Sequence, residues 1–297
     1  MSPQRQLAAI VAERHARHLA VVATHCLLEE ANLTPKPGLV DRRGSGAHKD
    51  LTLDLLERSA HSLTPTFYAL ALQCWQRPAD VALRQLVGRL GREGEAQMMQ
   101  TTAGVNTHRG AIWALGLLIA ASAMRGGEGS VQQVVDGAAA LAMLPDDAAP
   151  KLFSNGQRAS SRYRLPGARE EAQQGFPHVV NLALPQLHLS RRQGASESEA
   201  RLDTLMIMMT SLSDTCVLSR AGMDGLEAMQ QGARAVLAAG GVSQPAGQRA
   251  LARLDAHMLA LNASPGGAAD LLSATLFLDR ICPGPDAPRD AGPLSVR

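Results

Sequence analysis

The sequence predicts an all-α protein: a single multi-helix globular domain over residues 1–282, with its active site in loops at helix junctions, and a flexible tail over 283–297. Ala, Leu, Met, Glu, Gln and Arg, all good helix formers, dominate the chain. Apolar residues recur at steps of three and four, the repeat that lines one face of a helix. Alternating runs of Val, Ile and Thr, the mark of half-buried strands, are almost absent.

Leu7, Ile10, Val11, Leu19, Val22, Cys26 and Leu27 mark a long first helix. It must end before Thr34-Pro-Lys-Pro-Gly38, because proline has no N–H to give and disfavours a helical residue before it. Helices are expected at about 51–63, 65–76, 79–101, 108–125, 130–143, 167–174, 177–192, 196–212, 222–239, 246–261 and 266–280. The uncharged run from Gly110 to Met124 is too short for a bilayer core of about 30 Å and reads as a buried helix. Leu144 to Ser161 has the Pro, Asp, Ser and Gly content of a surface loop. Polar loops join helices of similar composition throughout, so no boundary separates two cores.

Composition narrows the function. Charged residues are 19% and apolar residues 45%, which excludes a disordered chain. A net charge of +2 with 3% aromatic residues gives neither a phosphate-tracking surface nor stacking platforms, so no nucleic-acid partner is expected. Any anion is bound locally. Cys26, Cys74, Cys216 and Cys282 lie far apart with no Cys-x-x-Cys, which fits a reduced cytoplasm. Arg5, Glu13, Arg14 and Arg17 interrupt the apolar positions near the N-terminus, so neither a signal peptide nor a membrane segment is expected.

Chemistry-bearing residues gather at five junctions. In the first, Lys36, His48 and Lys49 can face an anion and Asp41 and Asp50 a cation, on a loop stiffened by two prolines; a turn with Asp50 capping a helix explains the same residues. In the second, Glu95 precedes Asn106, Thr107, His108 and Arg109, with Thr107 placed to cap the apolar helix and offer an anion its first N–H groups. The third pairs Arg169, suited to phosphate, with Glu171, suited to a metal or proton, although on spacing alone an exposed helix with an intrahelical ion pair is the better reading. The fourth holds Asp214 and Arg220, where metal binding and helix capping are both open. In the fifth, Ser264-Pro265 reads as a cap and first turn, and Asp270 lies one turn further in.

In this order, TPKPGLVD at 34–41, GAHKD at 46–50, E-x-x-M at 95–98, GVNTHRG at 104–110, GAREEA at 167–172, DTCVLSRAG at 214–222 and NASPGGAADLL at 262–272 resemble the triphosphoribosyl-dephospho-coenzyme A synthases. The likeness spans about residues 20–280. Arg109, Cys216, Ala221 and Glu170 resemble the malonate decarboxylase branch; citrate lyase members carry lysine, asparagine and glycine at the first three positions. Family members tend to have Tyr-Gly before the Gly-Ala-Arg segment, whereas Tyr163 here precedes Arg164, Leu165 and Pro166.

The resemblance implies an enzyme that transfers the 5-triphosphoribosyl group of ATP to the 2'-hydroxyl of 3'-dephospho-coenzyme A and releases adenine. The product is the prosthetic-group precursor of an acyl carrier protein. A triphosphate carries about four negative charges, so Mg²⁺ and the cations Lys36, His48, Lys49, Arg109, Arg169 and Arg220 are expected to hold it. Asp41, Asp50 and Asp214 are the expected metal or ribose ligands, converging on one cleft. Glu95 or Glu171 is the expected base, with Asp214 also a catalytic candidate, and Asn106, Thr107 and His108 orient adenine or phosphate. The alternatives are an N-glycosidic hydrolase of an ADP-ribosyl-type substrate and a non-catalytic nucleotide or coenzyme A binder.

Overall fold

Residues of α5 (Arg109–Met124) form the centre of the molecule: twelve of its sixteen positions are buried, among them Ile112, Leu115, Leu118 and Ile119. Such an evenly apolar helix is stable only when neighbours surround it. In this computed structural model, which describes residues 3–149 and 154–283, those neighbours are α1 (Pro3–Asn32), α3 (Thr64–Cys74), α4 (Val81–Thr101), α6 (Val131–Met143), α8 (Ala168–Gln173) and α13 (Gly266–Ile281). Around them lie α2 (Leu53–Ser62), α7 (Asn155–Tyr163), α9 (Leu184–Arg192), α10 (Glu197–Met209), α11 (Thr215–Ala238) and α12 (Pro245–Ala260). Among the described residues no strand forms, and a single isolated bridge joins Asp41 to Gly44. No helix there is long and apolar enough to cross a membrane. The expected tail, apart from Pro283, and Pro150 to Phe153 lie outside the described residues.

Helix starts follow side-chain chemistry. Asp80 accepts from Leu83 N at 2.7 Å, and Ser130, Ser154 and Ser196 each form a reciprocal capping box with Gln133, Gln157 and Glu199. Three expected caps are corrected. Thr52, not Asp50, caps α2; Thr107 bonds Ser59 instead of capping α5; and the Ser264 hydroxyl bonds His48, so that α13 begins without a side-chain cap.

Three elements differ from expectation. Residues 155–163 are helical, although Leu144 to Ser161 reads as loop, because the Ser154 box starts a helix that buries only Ala159. The stretch expected at 177–192 begins as π-helix (His178–Ala183) before α9, where Pro185 removes a donor from the ladder. The helix expected from Gly222 begins at Thr215, and Gly222 (φ 64°, ψ −157°) kinks it rather than starting it.

Candidate active site

A cleft of about 1350 Å³ opens where the C-terminal end of α1, the loop 36–51, α4, the N-terminal ends of α5 and α13, α7–α8 and the start of α11 meet. Its base is built first by the turn after α1. The chain doubles back so that Lys36, 1% exposed, donates to the Glu30 carboxylate at 2.5 Å and to the Glu30 carbonyl at 2.6 Å. A cation is thereby placed at the C-terminal end of α1, where the helix dipole favours it.

His108 lies beside this pair. Its Nδ1 meets Ser59 Oγ at 2.8 Å, and Ser59 Oγ meets Thr107 Oγ1 at 2.6 Å. The ring is buried, its Nε2 has no partner among the described residues, and the residue lines the cleft. Burial, then the Lys36 charge, lowers its pKa to about 4, so at neutral pH it is an uncharged imidazole. Asp270 enters the cleft from α13, so close to Gly110 that a Cβ there would overlap the carboxylate. Burial, then the charges of Glu30 and Asp214, push the Asp270 carboxyl well above its ordinary value, against one favourable bond from Ala111 N–H.

The second wall joins distant loops. Arg220 donates through Nε to Asn262 O at 2.9 Å, and through Nη2 to Asn262 Oδ1 at 3.0 Å and to Ala47 O. His48 Nε2 meets Ser264 Oγ at 2.8 Å. Burial, then Arg220, lowers the His48 pKa to about 4, which corrects its expected role as a cation. Gly38 (φ 68°) passes so near Ala263 O that a side chain would collide with it, which lets the loop 34–41 lie against 262–263. Asp50 lines this wall and is exposed.

The rim carries arginines. Arg109 Nε donates to Glu95 Oε2 at 3.0 Å, both side chains being more than a third exposed. Asn106 Oδ1 accepts from Arg109 N at 3.3 Å. Arg169 is exposed on α8, and the neighbouring Glu170 Oε2 accepts from Gly167 N at 2.9 Å. Trp113 Nε1 donates to Ala168 O at 3.0 Å and ties α8 to α5.

Of the residues expected from sequence, Lys36, His48, Asp50, Glu95, Asn106, Thr107, His108, Arg109, Arg169 and Arg220 line this cleft. Asp41, Lys49, Glu171 and Asp214 do not, and the three expected metal aspartates do not converge. Asp41 is buried under Arg43, accepting from Lys36 N at 2.8 Å and Arg43 N at 2.8 Å; burial alone would raise its carboxyl, but these donors and the Arg43 guanidinium hold it below its ordinary value. Lys49 is exposed outside the cleft. Glu171 is turned to His178, accepting from its N at 2.9 Å and pairing with its Nδ1 at 2.7 Å. Asp214 caps α11 through Cys216 N and Val217 N, at 2.9 and 3.2 Å, and accepts from Ala268 N at 2.9 Å. Burial raises it to about 6 despite these donors. Sequence reasoning gave Glu30, Arg84, Arg92, Asp146 and Arg164 no role, yet all line the cleft. The spacing of Arg84, Gly88, Gly91 and Glu95 along one helix face is the signal that was available.

A helical fold whose cleft sets cations around buried acids, with room for more than one nucleotide-sized ligand, defines a protein that takes large anionic ligands. Residues 16–286 match the family model CitG: ATP:dephospho-CoA triphosphoribosyl transferase, and the chain belongs to that family. It is 70% identical to a 2-(5''-triphosphoribosyl)-3'-dephosphocoenzyme-A synthase of Klebsiella pneumoniae over 277 residues, 93% of this chain and 99% of the relative. It is 58% identical to a probable synthase of the same name from Stutzerimonas stutzeri, over 92% of this chain and 94% of that one. No solved structure matches.

Proposed function

We propose that this chain transfers the 5-triphosphoribosyl group of ATP to the 2'-hydroxyl of 3'-dephospho-coenzyme A and releases adenine. The family and the synthases it resembles support the reaction, and one observation in the cleft carries it: an uncharged His108 and the buried acid Asp270 line the same cleft as the Arg109–Glu95 pair. In the reaction the bond from C1'' to adenine N9 breaks and the bond from C1'' to the acceptor oxygen forms. The hydroxyl proton goes to a base and adenine takes up a proton. Charge on the ribose grows in an oxocarbenium-like state, as in other glycosyl transfers.

Glu95 is the base, since Glu171 is committed to His178 away from the cleft. His108 Nε2, uncharged and held by Ser59, orients adenine through a hydrogen bond. Arg109 holds phosphate oxygens. Among the described residues no cluster of three or more His, Cys, Asp or Glu side chains makes a metal cage. Mg²⁺ needs only one or two carboxylates when phosphates supply further oxygens. Asp270, whose ionisation is opposed first by burial and then by Glu30 and Asp214, lines the cleft and would hold a divalent cation there. The ion would neutralise triphosphate charge.

Arg109, Cys216, Ala221 and Glu170 support placing the product in the assembly of a malonate decarboxylase acyl carrier protein, and four free cysteines fit the cytoplasm. Mass spectrometry of ATP, dephospho-coenzyme A and Mg²⁺ with the protein tests the reaction. Adenine should appear in step with loss of dephospho-coenzyme A. Release of ADP or pyrophosphate overturns it, and adenine release without the acceptor would favour the hydrolase.

A further inference from the structure

We propose that Arg84, Arg92 and Arg169 form a second anion subsite of the cleft, for a polyphosphate group of one substrate, and that Asp146 occupies it until that group arrives. The proposed reaction supplies only the identity of the polyphosphate: the triphosphate of ATP or the diphosphate bridge of dephospho-coenzyme A.

The geometry is that of a site filled by too small a group. Asp146 Oδ2 accepts from Arg92 Nη1 at 2.7 Å and from Arg84 Nη1 at 3.3 Å. A guanidinium and a carboxylate normally meet through two parallel bonds. Here one carboxylate oxygen takes both arginines, while Asp146 Oδ1 and Arg84 Nε are buried without partners among the described residues. Arg84 is only 7% exposed and lines the cleft, so its unused donor cannot rely on bulk water. A phosphate group presents more oxygens than a carboxylate and can meet Arg84 Nε together with both Nη groups.

The surroundings hold the arginines ready. Trp113 lies under the Arg84 guanidinium, 5.4 Å from ring centroid to Cζ. Gly88 is bare where Asp146 rests; a Cβ there would overlap the carboxylate, so α4 leaves room for a group between its two arginines. Arg169 makes no hydrogen bond or ion pair among the described residues. Burial lowers the Arg84 pKa, and repulsion from Arg92 and Arg169 adds to it, Asp146 offsetting only part. Two guanidinium groups share one carboxylate, which leaves positive charge for an incoming anion.

Calorimetry with inorganic tripolyphosphate and pyrophosphate, and steady-state kinetics on the full chain, test this. Asp146→Asn should tighten polyphosphate binding at least fivefold by removing the competitor. Arg92→Gln and Arg84→Gln should weaken it tenfold or more and raise one KM far more than they lower kcat. A shift in the KM for ATP identifies the triphosphate; a shift in that for dephospho-coenzyme A identifies the diphosphate. Arg92, partly exposed, serves if the Arg84 variant does not fold. The subsite is overturned if Asp146→Asn weakens polyphosphate binding or leaves it unchanged. It is also overturned if folded Arg92→Gln leaves affinity and both KM values unchanged. If the parent chain releases no adenine while polyphosphate binding responds to both substitutions as described, the catalytic reading fails and the subsite stands.

Discussion

The base and the rim of the cleft hold similar residues in opposite ways. At the base, Lys36 is shut in with Glu30, and His108 is held by Ser59. On the rim, Arg109 meets Glu95 with both side chains partly open to water, and Arg169 is exposed with no ion pair among the described residues. Buried charges are costly to leave alone, so the Lys36–Glu30 pair of the base is built complete in the folded chain. Rim pairs contribute little and can be exchanged for substrate oxygens. The base therefore resists change by unfolding, and the rim by losing affinity.

The largest test of this contrast is Lys36→Met. It leaves Glu30 buried without its partner and should cost about 3 to 5 kcal/mol of stability, read by denaturant unfolding. A loss below about 1 kcal/mol would make the base no different from the rim. Asp270→Asn comes next. It should lower kcat by about a hundredfold, some 2.7 kcal/mol, while stability at neutral pH stays equal or rises, because a buried acid opposed by Glu30 and Asp214 has been neutralised. Activity retained with a falling melting temperature would make Asp270 structural.

His108 supplies a pH test. Its folded pKa of about 4 lies below the ordinary 6.5, so the unfolded chain takes up a proton first as pH falls. Its contribution to stability is complete above about 6.5 and is lost toward 4, at up to about 1.4 kcal/mol per pH unit. His108→Gln should reduce that acid slope by close to one proton; an unchanged slope would mean that His108 is charged in the fold. The smallest effect belongs to the rim. Arg109→Ala should raise the KM for ATP by a cost of roughly 1 to 2 kcal/mol, because the guanidinium is partly solvated, and Arg109→Lys by less. Unchanged ATP kinetics in the Ala variant would remove Arg109 from the phosphate site.

The helices were legible where burial forced a pattern. The apolar run from Gly110 to Met124 could only be a central helix, and it is. Residues 155–163 were not legible, because that helix buries little and its polar residues face the cleft. The site was legible as a set of junctions but not as a set of roles. Asp41, Asp50, Asp214 and Asp270 look alike in sequence. One is clamped by Arg43, one is exposed on the cleft wall, one caps a helix and one lies in a ring of acids; only the tertiary neighbours separate them. Asp146 was passed over because its partners, Arg84 and Arg92, lie more than fifty positions away.

Asp214 has a mechanical consequence as well. One carboxylate grips the first turn of α11 through Cys216 and Val217, and the first turns of α13 through Ala268. Two helices that line the same side of the cleft are thereby riveted at their tips and must travel as one jaw. Any adjustment of width around two large substrates then falls to α4 and α8, whose arginines line the cleft. Amide exchange should register the asymmetry: slow and insensitive to nucleotide at Cys216, Val217 and Ala268, faster and slowed by nucleotide along α8.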